Sequence, residues 1–193
     1  MTLILASASA SRARLLREAG IAFTQDPADI DEAALMQPGE PAAMVARLLA
    51  EEKAKFVSRR HPGALVLGGD SVLDFAGELI SKSPDVAAAK TLLSRLAGKA
   101  HSIVSAASLA RDGQTVWTHV GEGRLTMRAF SPAFLDAYLA AESPAILASV
   151  GCYHLEGRGA QLFDRIEGDY FSILGLPLFP VLAALREQGV LQT

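Results

Sequence analysis

Leu3-Ile4-Leu5 is an unbroken apolar run that gives way at Ala6 to the small, polar stretch Ser7-Ala8-Ser9-Ala10-Ser11. Such a run predicts a strand over 2–6 covered on both faces. Leu15, Leu16 and Ala19 then recur at helical spacing, which predicts a helix over 12–19 stopped at Gly20. Residues 21–25 read as a short strand, and the polar stretch 26–39, with Pro27 and Pro38, as a loop. Pro41 opens a long helix to about Arg59 with Val45, Leu48, Leu49 and Phe56 on its apolar face, closed by Pro62-Gly63. Ala64-Leu65-Val66-Leu67 is a second doubly covered strand, bounded by Gly68-Gly69, with Asp70 just beyond its carboxyl end.

Downstream, 72–75 and 78–80 flank Ala76-Gly77 as a hairpin, and Ser83-Pro84 is expected to start a helix ending at Gly98. Residues 101–109 and 114–127, joined by Arg111-Asp112-Gly113, predict a long two-stranded ribbon. Ser131-Pro132 begins a helix through Tyr138 to Ala141, 161–166 suggests one more strand, and 177–188 a last helix stopped by Gly189. Strands and helices interleave with no repeat or linker, so the expectation is an α/β fold in one domain over residues 1–193.

Composition narrows the function. Half of the 193 residues are apolar, 20% are charged and the net charge is −3, which describes a folded chain without the basic footprint of a nucleic-acid binder. Cys152 is the only cysteine, so no internal disulfide or thiolate zinc site is available. The first residues lack a basic leader and no apolar stretch reaches about 20 residues, so a soluble, cytoplasmic protein without membrane contact is expected.

Chemistry concentrates where strands stop. A strand that breaks into hydroxyl residues at a helix start gathers free backbone N–H groups, hydroxyl donors and the positive end of a helix dipole; Ser7, Ser9 and Arg12 are therefore candidate phosphate ligands. Serines in front of a helix are also ordinary caps. Asp70, after a strand and two glycines, is the candidate catalytic carboxylate, with a turn aspartate as the alternative. Lys82 precedes another expected helix start, whereas the spacing around Lys53 favours an exposed charged helix face. Asp29, Asp31 and Glu32 offer hard oxygen ligands or a solvated acidic loop. His61, His101, His119 and His154 show no ligand spacing, and Cys152 with His154 reads as packing neighbours on one strand. Walker A, dinucleotide and Gly-x-Ser-x-Gly signatures are missing from the sequence.

Several blocks in order carry a family resemblance: Ser7-Ala8-Ser9 with Arg12 and Leu15-Leu16, Asp31-Glu32, Arg47-Leu48 with Glu52-Lys53-Ala54, Gly69-Asp70-Ser71-Val72, Lys82 with Pro84, and Gly151 to Gly159 followed by Ile166-Glu167-Gly168 and Gly175-Leu176-Pro177. Over nearly its full length the chain resembles the Maf family of nucleoside triphosphate pyrophosphatases. Ala10 replaces the family's proline, Ala13 a common second arginine, and Ser83 interrupts the Lys-Pro pair. The resemblance implies an elongated Maf/ITP-pyrophosphatase-like domain, a mixed sheet flanked by helices with a central ligand cleft. It also implies hydrolysis of a nucleoside triphosphate to the monophosphate and pyrophosphate with Mg²⁺ or Mn²⁺, and a possible homodimer.

In that scheme Asp70 accepts the proton and, with Glu32, holds the metal, while Ser7, Ser9, Arg12, Lys53 and Lys82 bind phosphates. Arg12, Ser71 and Glu156 stand at specificity positions. A carboxylate at 156 accepts the N1–H and N2–H₂ donors of guanine and favours a cationic 7-methylguanine, which resembles the 7-methyl-GTP branch. The family's association with septum formation leaves an alternative, a nucleotide-binding regulator without turnover.

Overall fold

In a computed structural model, residues 2–36 and 39–192 are described. They form a mixed sheet of seven strands in the order β2-β1-β3-β5-β6-β7, with β4 paired to β3. The strands are β1 (Leu3–Leu5), β2 (Thr24–Gln25), β3 (Leu65–Phe75), β4 (Glu78–Ile80), β5 (Ala100–Arg111), β6 (Gln114–Met127) and β7 (Phe163–Gly168). Only β1 pairs in parallel, with β2 on one side and β3 on the other; every other pairing is antiparallel.

Helices cover the sheet: α1 (Ala10–Glu18), α2 (Glu32–Leu35), α3 (Ala42–Ser58), α4 (Val86–Leu96), α5 (Pro132–Glu142), α6 (Tyr170–Ile173) and α7 (Leu178–Glu187). At one end, Leu3, Leu5, Leu16, Leu65, Leu67 and Leu109 pack with Leu185 of α7. Leu73, Leu93, Leu125, Leu139 and Tyr153 form a second core at the other end. No helix among the described residues is long and apolar enough to cross a membrane.

Some expectations move. Helix α1 begins at Ala10, not Arg12, because Ser9 is its cap, accepting from the Arg12 amide at 3.4 Å. Inside the expected loop 26–39, Asp31 caps the short α2, accepting from the Ala34 amide at 3.1 Å; Pro38 lies outside the described residues. The helix expected from Ser83-Pro84 starts at Val86, because Asp85 accepts from the Ala88 amide at 2.8 Å. Cys152 lies at a bend and His154 in an irregular stretch rather than on a strand, and Cys152 has φ of 56°.

The largest correction concerns β3, which does not end before Gly68 but runs eleven residues through Gly68, Gly69 and Asp70. What ends there is its parallel partner: β1 pairs up to Leu5 against Leu67, then turns away into α1. The glycine at 68 answers a packing need, since a Cβ there would lie 2.2 Å from the Ala50 carbonyl of α3. Helix α3 thus rests directly on β3 beside the departure point of β1. Both tight hairpins use left-handed residue pairs, Ala76 (φ 56°) with Gly77 (85°) and Asp112 (50°) with Gly113 (80°).

On β5, against the rings of Tyr153 and Phe163, lies His101, 3% exposed, with Nε2 2.8 Å from the Tyr153 hydroxyl and Nδ1 buried without a partner. Burial lowers its pKa to about 4. The unfolded chain therefore takes up a proton near pH 6.5 that the folded chain refuses until about pH 4. Stability should fall across that window by about 3 kcal/mol. Thermal unfolding of His101→Gln should show a shallower loss of Tm from pH 6.5 to 4 than the wild type; parallel curves would reject this account.

Candidate active site

Where β1 leaves β3, a cleft of about 890 Å³ opens, lined by the β1–α1 turn, the middle of β3, Glu32, Lys53, Lys82, and the 145–156 segment. Its size is that of a small-molecule site. Asp70 sits on β3 just past the end of the parallel pairing and is 8% exposed. Lys53, also 8% exposed, projects from α3. Its Nζ lies 2.6 Å from Asp70 Oδ1 and 2.7 Å from Glu32 Oε1, so one ammonium joins two carboxylates from three separate elements. The spacing around Lys53 favours a surface charge; the structure instead buries it in the cleft, where its ammonium meets two carboxylates.

Arg12, buried in the first turn of α1, fills the floor. Its Nε donates to the Gly175 carbonyl at 2.8 Å, Nη1 to Ser7 Oγ at 3.1 Å and Nη2 to Ser71 Oγ at 2.9 Å. Three of its five N–H donors are so occupied, and the rest remain for a ligand. Burial pulls the guanidinium below its usual pKa, while the charges of Asp70 and Glu32 act in the opposite direction. Ser7 thus orients Arg12 and Ser9 caps the helix.

Lys82 is exposed on the cleft wall, and Glu156 and His154 line it from the late turn segment. Glu156 Oε1 is held by Arg14 Nη2. Ala13, by contrast, is 1% exposed and packs in the core beside Leu16, so a side chain at that position faces away from the cleft. Asp29 is exposed and absent from the cleft lining, and Asp31 is spent as a cap. Cys152 is fully buried, burial raises its thiol pKa, and its Sγ donates to Ser83 Oγ at 3.2 Å; its role is structural.

The donor set suits a hard divalent cation. Asp70 and Glu32 present carboxylate oxygens that already converge on one positive charge, and no cluster of three or more His, Cys, Asp or Glu ligands occurs among the described residues. Two carboxylates completed by phosphate oxygens and water is the usual Mg²⁺ arrangement. Ser105 escaped sequence reading, and the contacts of Gly175 with Arg12 and of Arg14 with Glu156 come to light only in the folded chain, because each joins residues far apart in sequence.

An α/β chain with carboxylates, a lysine and a buried arginine around one cleft is built to hold a polyanion with a cation. A family model described as Maf-like protein matches residues 2–188. The chain is 48% identical over 195 residues to a nucleoside triphosphate pyrophosphatase of Granulibacter bethesdensis, covering 99% of each. It is 47% identical over 193 residues to a 7-methyl-GTP pyrophosphatase of Mesorhizobium japonicum, covering 98% of this chain and 97% of that one. A HAM1 protein from Coxiella burnetii superposes with a TM-score of 0.43 and 16% identity over 66% of this chain and 73% of that chain. The chain belongs to the Maf-like family.

Lys53→Met leaves Asp70 and Glu32 without the ammonium that joins them, and Arg12 remains as their buried counter-charge in the cleft. Loss of about 2 kcal/mol of stability is expected at pH 7, measured by denaturant unfolding. Restoration by the double variant Lys53→Met/Asp70→Asn would confirm charge as the cause, and its absence would count against it.

Proposed function

We propose that this chain hydrolyses a nucleoside triphosphate at the α-phosphorus, releasing the nucleoside monophosphate and pyrophosphate. The observation that carries the reading is the meeting of Asp70, Glu32, Lys53 and Arg12 in one cleft, in a chain whose relatives along nearly all its length are named for this activity. Arg12 and Lys53, with Lys82 at the wall, bind the phosphate oxygens, and the first turn of α1 adds its dipole. Asp70 orients a water and accepts its proton as the oxygen–phosphorus bond forms. The bond from the α-phosphorus to the bridging oxygen breaks, and its electron pair leaves with pyrophosphate, whose developing charge Lys53 and Lys82 offset.

Asp70 and Glu32 would hold a Mg²⁺ or Mn²⁺ ion. When bound, that ion neutralises phosphate charge and acidifies the attacking water. Lys53, which joins the same two carboxylates in the structure, is then free to turn its ammonium to the phosphates.

For the base, Glu156 on the cleft wall and the relatives named 7-methyl-GTP pyrophosphatase support a guanine nucleotide carrying the 7-methyl cation. An ionised carboxylate accepts from both N1–H and N2–H₂ of the guanine edge. Arg14 holds Oε1 and keeps the carboxylate against the wall.

Two measurements test this. Across 7-methyl-GTP, GTP, UTP and dTTP with Mg²⁺ or Mn²⁺, pyrophosphate should be the first product, abolished by EDTA and reduced at least about a thousandfold in Asp70→Asn. Orthophosphate as first product would reject the reaction, and tight nucleotide binding with no release would make the chain the regulator instead. Glu156→Gln should lower the kcat/KM ratio of 7-methyl-GTP to UTP by about tenfold; an unchanged ratio would remove Glu156 from base selection.

A further inference from the structure

A row of small residues crosses the centre of the sheet. Ser71 of β3 stands directly opposite Ser105 of β5, and Ser105 directly opposite Gly121 of β6. Ser105 is fully buried, as is Ser172 of α6, which lies over the row. The glycine makes that approach possible, since a Cβ at 121 would sit 2.2 Å from Ser172 Oγ and 3.2 Å from Pro177 Cβ.

Hydroxyl donors along the row point one way. Ser105 donates to the Ser172 carbonyl at 2.6 Å, so its single hydrogen is spent there. The 2.7 Å contact between Ser71 Oγ and Ser105 Oγ is therefore donated by Ser71, whose other acceptor, the Gly175 carbonyl, lies farther off at 3.5 Å. Ser71 has no hydrogen left to give and is fixed as an acceptor, which is what Arg12 Nη2 requires at 2.9 Å. The Gly175 carbonyl, just past α6, takes Arg12 Nε at 2.8 Å. Segment 169–175 is itself held by Asp169, which accepts from the Ser172 amide at 3.1 Å and its hydroxyl at 2.5 Å.

We propose that Ser105 is a positioning residue for phosphate binding: through Ser71 it fixes the Arg12 guanidinium so that its remaining N–H groups face the cleft. Ser71 then serves Arg12 and presents no donor to a nucleobase. The segment 169–175 closes the frame, holding Ser105 and Arg12 through two of its carbonyls. This deepens the pyrophosphatase reading and rests on Arg12 binding phosphate.

Arg12 contacts a triphosphate before and during the reaction, so misorienting it weakens binding rather than the chemical step. For Ser105→Ala, the KM for the preferred nucleotide and the Kd for inorganic pyrophosphate with Mg²⁺, by calorimetry, should both rise about fivefold to tenfold. The kcat should stay within about twofold. Ser105→Cys, which keeps a weaker donor, should fall between. Because the relay is serial, Ser71→Ala/Ser105→Ala should bind pyrophosphate no more weakly than Ser71→Ala alone.

Additive effects in the double variant, an unchanged pyrophosphate Kd in Ser105→Ala, or a fall in kcat at constant KM would overturn the proposal. If Ser105→Ala does not fold, a wild-type pyrophosphate Kd in Ser105→Cys overturns it alone. Absence of turnover in the wild type would refute the catalytic reading and leave the pyrophosphate affinities still decisive for the relay.

Discussion

Burying a guanidinium is the constraint on which the rest of the cleft depends. A permanent charge at 8% exposure is tolerable only if each of its nitrogens finds a partner and counter-charge lies near. Arg12 meets both conditions by drawing on distant parts of the chain: a serine from the turn before its own helix, a serine on β3, and a carbonyl near the carboxyl end. Asp70 and Glu32 supply the opposing field. The late Gly175-Leu176-Pro177 block, remote in sequence from the phosphate loop, is thus part of its wall.

Strand order decides where this happens. The sheet is parallel only around β1, and β1 is three residues long, so its departure exposes the flank of a much longer β3 from Gly68 until β4 pairs at Leu73. Asp70 lies in that stretch, with a continuous antiparallel ladder behind it against β5. The carboxylate is therefore carried by a strand interior, while other parts of the cleft wall are left to the segment 145–156. Catalytic precision favours groups mounted on such rigid elements.

Much of this was legible in the sequence, for identifiable reasons. Apolar runs with small-residue boundaries announced β1 and the start of β3, and Asp-Gly and Ala-Gly turns announced both hairpins. Arg12, Lys53, Asp70 and Glu32 were named by motif, and the fold brings them together. Other features were hidden because they depend on competition between neighbours. Ser83-Pro84 has the form of a helix start, yet Asp85 captures the cap, and Ser83 is drawn to Cys152 instead. Gly68-Gly69 has the form of a strand end, yet the glycines answer an approaching helix and an arginine side chain. The Ser71–Ser105 pair could not be seen before the β3–β5 register was known, since nothing local links residues 34 positions apart.

The contact of α3 with Gly68 has a mechanical meaning. Main chain meets main chain there with no intervening side chain, so the helix carrying Lys53 and the strand carrying Asp70 move together as one body. What the abutting backbones set is the distance between the two stretches of main chain from which that acid and that base project. Repacking of apolar residues elsewhere can drift over generations without detuning it, whereas a single added methyl group at position 68 would pry the pair apart.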